Sequence, residues 1–122
     1  MKGEEVFVLI IMIITLGACQ PKVDAAGQRT AGEGLYAQQC AACHEVEQGI
    51  GPRLTSSVLA SYDTPRTLFN YLRLAMPTQT PGSLGEEEYW AITAYLLDER
   101  GLLSMEQPLS TESSAGLTLK KE

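Results

Sequence analysis

The chain has 122 residues, of which 44% are hydrophobic and 20% are charged. This length accommodates one compact domain with short accessory segments and excludes a multidomain enzyme. Fifteen acidic side chains against nine basic ones give a formal net charge of -6, so the chain lacks the excess of lysine and arginine that binding to a nucleic-acid backbone requires. Three cysteines and a single histidine leave a very short supply of ligands for metal chemistry.

An apolar run near the amino terminus predicts export from the cytoplasm. Residues 6–16 are apolar apart from Thr15, a length that falls short of the roughly 20 residues of a membrane-spanning helix and suits a signal peptide. The run ends in Leu16-Gly17-Ala18-Cys19, which resembles the lipobox of bacterial lipoproteins. This resemblance implies a lipoprotein signal peptide over residues 1–18 and lipidation of Cys19. The alternative is an ordinary signal peptide or an uncleaved anchor, with Cys19 as a free thiol.

Polar segments flank the central part of the chain. Residues 19–31 are mostly polar or small, and we expect them to form a flexible tether that starts at the lipidated cysteine. Residues 106–122 are rich in serine, threonine and glycine, and we expect them to form a polar, disordered tail. The folded domain is therefore predicted to span residues 32–105.

Within this domain the apolar pattern is helical and predicts an all-α fold. The period indicates three helices, over residues 33–44, from Pro65 to the residue before Pro77, and from a capping-box motif at 83–86 to Arg100. A domain of about 75 residues with three or four short helices has only a marginal core of its own. We therefore expect it to fold around a bound group.

The pentapeptide Cys40-Ala41-Ala42-Cys43-His44 indicates what that group is. Cysteines three residues apart on a helix face the same way, so both sulfurs can form thioethers with one porphyrin. His44 follows directly, and its imidazole can bind the iron as the proximal ligand. The alternatives are a thioredoxin-like dithiol, which requires a strand followed by a helix, and half of a zinc site, which requires two further ligands. The sequence shows neither context, so we expect one covalently attached haem c.

A single histidine leaves methionine as the natural sixth ligand of the iron. Met1 and Met12 fall within the expected signal peptide, which leaves Met76 and Met105. Met76 precedes Pro77 in a segment rich in proline and glycine, so it is predicted to lie in a loop that can fold over the far face of the ring. We expect Met76 to be the distal iron ligand and Met105 to pack as a hydrophobic side chain.

Residues 32–101 resemble a small monohaem class I bacterial cytochrome c. Beyond the pentapeptide, Gly51-Pro52-Arg53-Leu54 is similar to the Gly-Pro-x-Leu segment of that family. The resemblance implies that the Pro52 carbonyl accepts the second N–H of the proximal histidine and that Leu54 lines the haem pocket. It also implies the class I fold, with three to four short helices wrapped around the haem.

Two further groups of residues carry this resemblance. Gly32 and Tyr36 are similar to the glycine and the aromatic residue of the family's first helix, and Ile92, Tyr95 and Leu96 are similar to the residues of its last helix that pack against them. The resemblance implies that the first and last helices cross closely at the glycine.

Iron held by histidine and methionine has no open position for oxygen or substrate, so the resemblance implies an electron carrier and not an enzyme. We expect it on the extracytoplasmic side of a bacterial inner or outer membrane, held by lipidated Cys19, where it passes electrons between a membrane or periplasmic dehydrogenase and a downstream oxidase or reductase. The expected partners are redox proteins and the membrane, with no nucleic acid and no small-molecule substrate. One alternative is a fixed haem subunit of a quinol-oxidising or dehydrogenase complex. The other is a ligand-binding haem sensor or peroxidase in which Met76 is displaced.

Overall fold

The computed structural model describes residues 22–121, and its regular secondary structure is entirely helical over this range. The helices, in chain order, are α1 Ala25–Gln39, α2 Ala41–His44, α3 Ser56–Ala60, α4 Pro65–Ala75 and α5 Glu86–Glu99. The predicted all-α fold is therefore confirmed. None of the helices in the described range is long and apolar enough to cross a membrane. The predicted signal peptide over residues 1–18 and the predicted lipidation site at Cys19 lie outside the described residues.

Side-chain caps begin three of the helices. The oxygens of Asp24, Thr55 and Thr64 each accept a backbone N–H three residues ahead, at 2.7, 3.3 and 3.1 Å. Pro65 occupies the first position of α4, as predicted, because its fixed φ suits a helix start and its missing N–H would have no partner there.

The start of α5 differs from the prediction. The cap is Gly85, two residues beyond the expected Ser83, and the carboxylate of Glu88 accepts the Gly85 N–H at 2.7 Å. The Ser83 hydroxyl lies 3.2 Å from the hydroxyl of Thr80 and so takes part in the preceding turn. Three glutamates in the first turn place negative charge at the positive end of the helix dipole.

The crossing of α1 and α5 forms the centre of the domain. Gly32 is buried, and a Cβ atom placed on it would lie 1.9 Å from the carbonyl oxygen of Ala91, so the two backbones are in direct contact. One turn along, the rings of Tyr36 and Tyr95 stand 5.4 Å apart between centroids. On the other side of Gly32, Arg29 binds the carboxylate of Asp98 at 2.6 Å. The close helix crossing implied by the sequence resemblance is present.

α4 packs against α5 and extends the hydrophobic core. The ring of Phe69 stacks on Trp90 with a centroid distance of 3.9 Å and an interplanar angle of 7°. Most of α5 is buried, as expected for a helix enclosed by its neighbours. Its buried residues are Tyr89, Trp90, Ala91, Ile92, Thr93, Ala94, Leu96 and Leu97.

The segment predicted as a tether is partly helical, which corrects the predicted boundary at residue 32. Residues 25–31 open α1, and within them Gln28 is buried. The residues of this stretch are mostly polar or small, but its alanines favour a helix and Asp24 caps the start of that helix. The folded domain therefore begins at about the start of α1.

The segment predicted as a disordered tail packs onto the domain, which corrects the second boundary. Leu109 and Leu119 are buried. The Gln28 side chain donates to the Leu109 carbonyl at 2.8 Å and accepts the Leu109 N–H at 2.7 Å, while the Leu119 N–H donates to the Asp63 carbonyl at 2.8 Å. These two leucines supply buried apolar area although most of the segment is polar, and partners from distant parts of the chain satisfy their backbone groups. The polar composition of the segment therefore does not show whether it is ordered.

Replacement of Gly32 by alanine tests the helix crossing. The added methyl group would meet the Ala91 carbonyl, so we expect the free energy of unfolding to fall by about 3 kcal/mol. Gly34→Ala on the same helix is the matched control, because a Cβ there meets no atom within 4 Å, and it should stabilise the protein by about 0.5 kcal/mol. Denaturant unfolding of both variants measures this difference, and equal stabilities would contradict the crossing.

Candidate functional site

Cys40 and Cys43 lie at the junction of α1 and α2. Cys40 leaves the helical conformation, with φ -125° and ψ -41°, and its N–H donates to the Tyr36 carbonyl at 2.9 Å. The single helix predicted over residues 33–44 is therefore two helices, because the chain turns at Cys40. The N–H groups of Cys43 and His44 both donate to the Cys40 carbonyl at 3.1 Å. This turn keeps both thiols, which are free and partly exposed, in one compact pentapeptide.

The chemistry of Cys40 argues against a reactive dithiol. Burial, and secondarily the neighbouring Cys43, raise the pKa of the Cys40 thiol to about 11. Nucleophilic cysteines of redox enzymes have lowered pKa values, because the thiolate is the reactive form. The thioredoxin-like alternative is thus disfavoured. In residues 22–121, no group of three or more histidine, cysteine or acidic side chains is placed to hold a metal ion, which gives the zinc alternative no support.

His44 is held in one orientation by the Gly51-Pro52 segment. Its side chain is only 8% exposed, and Nδ1 lies 2.6 Å from the Pro52 carbonyl oxygen. A carbonyl can only accept, so Nδ1 carries the proton and the lone pair of the neutral ring is on Nε2. A Cβ atom on Gly51 would lie 2.6 Å from Cε1 of the imidazole, so only glycine allows this approach. The hydrogen bond implied by the sequence resemblance is present.

A cluster of polar side chains connects the residues on both sides of the His44–Pro52 contact to the carboxyl end of α5. Arg100 donates to the Leu54 carbonyl at 2.7 Å and contacts the Glu45 carboxylate at 3.3 Å. The Tyr36 hydroxyl donates to the same carboxylate at 2.6 Å. Burial and Glu45 raise the pKa of Tyr36, so its hydroxyl remains a donor. The sequence analysis missed this cluster, because its members are up to 64 residues apart and no local motif links them.

Leu54 and Met105 are both partly buried against the hydrophobic core. This agrees with the expected packing of Met105 as a hydrophobic side chain. For Leu54, the position next to the Pro52 segment is compatible with the predicted role as a lining residue of a haem pocket.

Met76 is placed by a different part of the fold. It ends α4, with its N–H donating to the Leu72 carbonyl at 2.9 Å, and it begins the loop that leads to α5. Its carbonyl accepts the hydroxyl of Tyr89 at 2.8 Å, and its side chain is partly buried against the core. The loop position predicted from the neighbouring prolines and glycine is confirmed. The contact with Tyr89 gave no signal in the sequence.

The donor set fits a c-type haem. It comprises two free, partly exposed thiols, an imidazole whose Nε2 is not used by the Pro52 contact, and a methionine thioether on a loop. Thiols at this spacing form the thioethers of haem c, while imidazole and thioether are the axial ligands of cytochromes c. The space that Gly51 leaves for the imidazole is a further sign that the ring orientation is built into the fold.

Comparison with known proteins agrees with this geometry. The sequence model of the family described as cytochrome C oxidase, cbb3-type, subunit III matches residues 27–96, more than half of the 122 residues. No curated protein and no solved structure matches the chain. The matched range contains the pentapeptide, the Gly51-Pro52 segment and Met76. The chain therefore belongs to this cytochrome c family, whose domain binds covalent haem c and transfers electrons.

Proposed function

We propose that the protein is a membrane-tethered, extracytoplasmic one-electron carrier whose haem is attached through Cys40 and Cys43 and ligated by His44 and Met76. Family membership supports haem binding and electron transfer. The observation that carries the finer assignment is the 2.6 Å contact from His44 Nδ1 to the Pro52 carbonyl, because it prepares Nε2 of the imidazole for iron.

Two contacts orient His44 for binding to iron. The hydrogen bond to Pro52 fixes the tautomer of His44 and makes its imidazole a stronger donor, as outer partners of metal-binding histidines generally do. Gly51 lies against the ring and restricts its rotation. Because Arg100 holds Glu45 and the Leu54 carbonyl together, the residues on both sides of the His44–Pro52 contact are fixed to α5.

When bound, the haem supplies an iron that gains or loses one electron. The role of the protein chain is to keep this electron transfer reversible and to prevent other reactions at the iron. A methionine ligand favours a high potential, and His44 and Met76 together would leave no position on the iron for oxygen or peroxide. The protein also offers no second histidine as a distal acid or base, which makes peroxidase chemistry the weaker alternative.

Met76→Ala tests the distal assignment. The variant should keep its covalent haem, lose the weak iron–sulfur absorption band at the red end of the visible spectrum, and bind carbon monoxide when reduced. Its midpoint potential should fall by on the order of 0.1 V, within the ~0.8 V range over which axial ligands set haem potentials. Met105→Ala, at the other methionine of the folded domain, is the control and should behave as the parent. An unchanged absorption band in Met76→Ala would contradict the assignment.

The proposed location is based on the lipobox resemblance together with the start of α1. Cytochrome c domains of this family are typically extracytoplasmic. Residues 20–24 are all that separates Cys19 from α1, and five extended residues reach at most about 18 Å. A lipid on Cys19 would therefore hold the domain close to the membrane surface, within reach of membrane-bound redox partners.

A second candidate function is a fixed haem subunit of a larger complex. It is favoured by the description of the matched family as a subunit of a cbb3-type oxidase. In that case the docking partner, and not the lipid alone, would hold the domain at the membrane.

Fractionation of cells that express the parent or Cys19→Ser separates the two candidates. For a lipid-tethered carrier, the parent should be found in membranes and Cys19→Ser in the soluble fraction, and the parent haem should migrate alone after extraction in mild detergent. A Cys19→Ser protein that stays in the membrane and migrates with larger proteins would favour the fixed subunit.

A further inference from the structure

We propose that Tyr89 is a positioning residue for the distal ligand, holding the loop that carries Met76 closed against α5. This inference rests on the proposed function, in which Met76 binds the iron. We call residues 76–84 the distal loop.

The Tyr89 hydroxyl contacts both ends of the distal loop. It donates to the Met76 carbonyl at 2.8 Å, and the Leu84 N–H points to the same oxygen at 3.5 Å. One side chain thus bridges the first and last residues of the loop. The loop also has internal bonds, from the Thr80 N–H to the Pro77 carbonyl at 2.9 Å and from the Ser83 N–H to the Thr80 carbonyl at 3.2 Å. These bonds shape the loop, whereas Tyr89 attaches it to α5.

Both backbone polar groups of Met76 are engaged. Its N–H belongs to the last turn of α4 through the Leu72 carbonyl, and its carbonyl is bound by Tyr89 on α5. Methionine is a flexible side chain with three rotatable bonds, so its sulfur can be held in place only if the backbone from which it extends is fixed. The two hydrogen bonds, one within α4 and one from α5, fix the backbone of Met76 in this way.

Tyr89 is itself rigidly placed. Its side chain is only 1% exposed, and its carbonyl accepts the hydroxyl of the fully buried Thr93 at 2.7 Å. It precedes Ala91 by half a turn, where α5 lies in backbone contact with Gly32 of α1. The donor that holds the distal loop therefore belongs to the buried part of α5, next to its crossing with α1.

Loss of the hydroxyl should increase the fraction of protein in which Met76 has left the iron. An external ligand binds only this open fraction, so its apparent dissociation constant falls as the open fraction rises. In the ferric holoprotein, Tyr89→Phe should bind imidazole about fivefold more tightly than the parent, the ratio expected for one lost hydrogen bond. The iron–sulfur band should persist at zero imidazole, because Met76 itself is retained.

Ser114→Ala is the matched control for general destabilisation. It removes a buried hydroxyl whose hydrogen bond goes to the Thr111 carbonyl at 3.3 Å, and not to Tyr89 or to the distal loop. The inference requires tighter imidazole binding in Tyr89→Phe alone. Unchanged binding in Tyr89→Phe, or equal tightening in both variants, would overturn it.

The same titration includes Met76→Ala, so that failure of this inference can be distinguished from failure of the proposed function. If Met76→Ala binds imidazole far more tightly than the parent and Tyr89→Phe does not, only the role of Tyr89 is overturned. If Met76→Ala binds as the parent does, the distal assignment fails, and with it the role of Tyr89.

A measurement on the parent protein covers the case in which Tyr89→Phe does not accumulate. In the reduced holoprotein, the buried Tyr89 hydroxyl proton should exchange slowly and show a nuclear Overhauser contact to Met76. Rapid exchange of that proton with water would overturn the inference.

Discussion

The hydrogen bond between His44 and the Pro52 carbonyl is the interaction on which the rest of the site depends. It requires the chain to return to the pentapeptide within eight residues and to approach the imidazole so closely that Gly51 can carry no side chain. It also selects the tautomer in which Nε2 can bind a metal. Without it, the proposed attachment through Cys40 and Cys43 could still hold a haem, but His44, the proposed proximal ligand, would have no defined direction.

α5 connects the two halves of the site. Its carboxyl end places Arg100 on Glu45 and on the Leu54 carbonyl, on either side of the His44–Pro52 contact. Its amino end places the Tyr89 hydroxyl on the Met76 carbonyl, at the distal loop. Between these ends it crosses α1 at Gly32, and α1 leads directly into Cys40. A single buried helix thus connects the pentapeptide, residues 51–54 and the distal loop. This arrangement suits the proposed electron carrier, whose iron ligands should move little during electron transfer.

The sequence predicted the parts of this site that depend on short motifs and missed the parts that depend on distant contacts. The pentapeptide and the loop position of Met76 follow from residues adjacent in the chain, and the Pro52 contact follows from the family resemblance of the Gly51-Pro52-Arg53-Leu54 segment. The break at Cys40 and the shift of the α5 cap to Gly85 were missed because several capping patterns compete locally and tertiary packing selects among them. The ordered carboxyl-terminal segment was missed because its partner, Gln28, lies 81 residues away. The role of Tyr89 was missed because helical periodicity predicts which side chains are buried and does not show where a hydroxyl points.

The measurement that tests the central claim most directly is extraction of the denatured protein with acidified organic solvent. If thioethers from Cys40 and Cys43 hold the haem, the pigment stays with the polypeptide in the parent and in Met76→Ala, because loss of an axial ligand leaves both covalent bonds intact. A double replacement of Cys40 and Cys43 by serine should leave no haem that survives this treatment. Pigment that passes into the solvent from the parent protein, or a parent protein that carries none, would contradict the account.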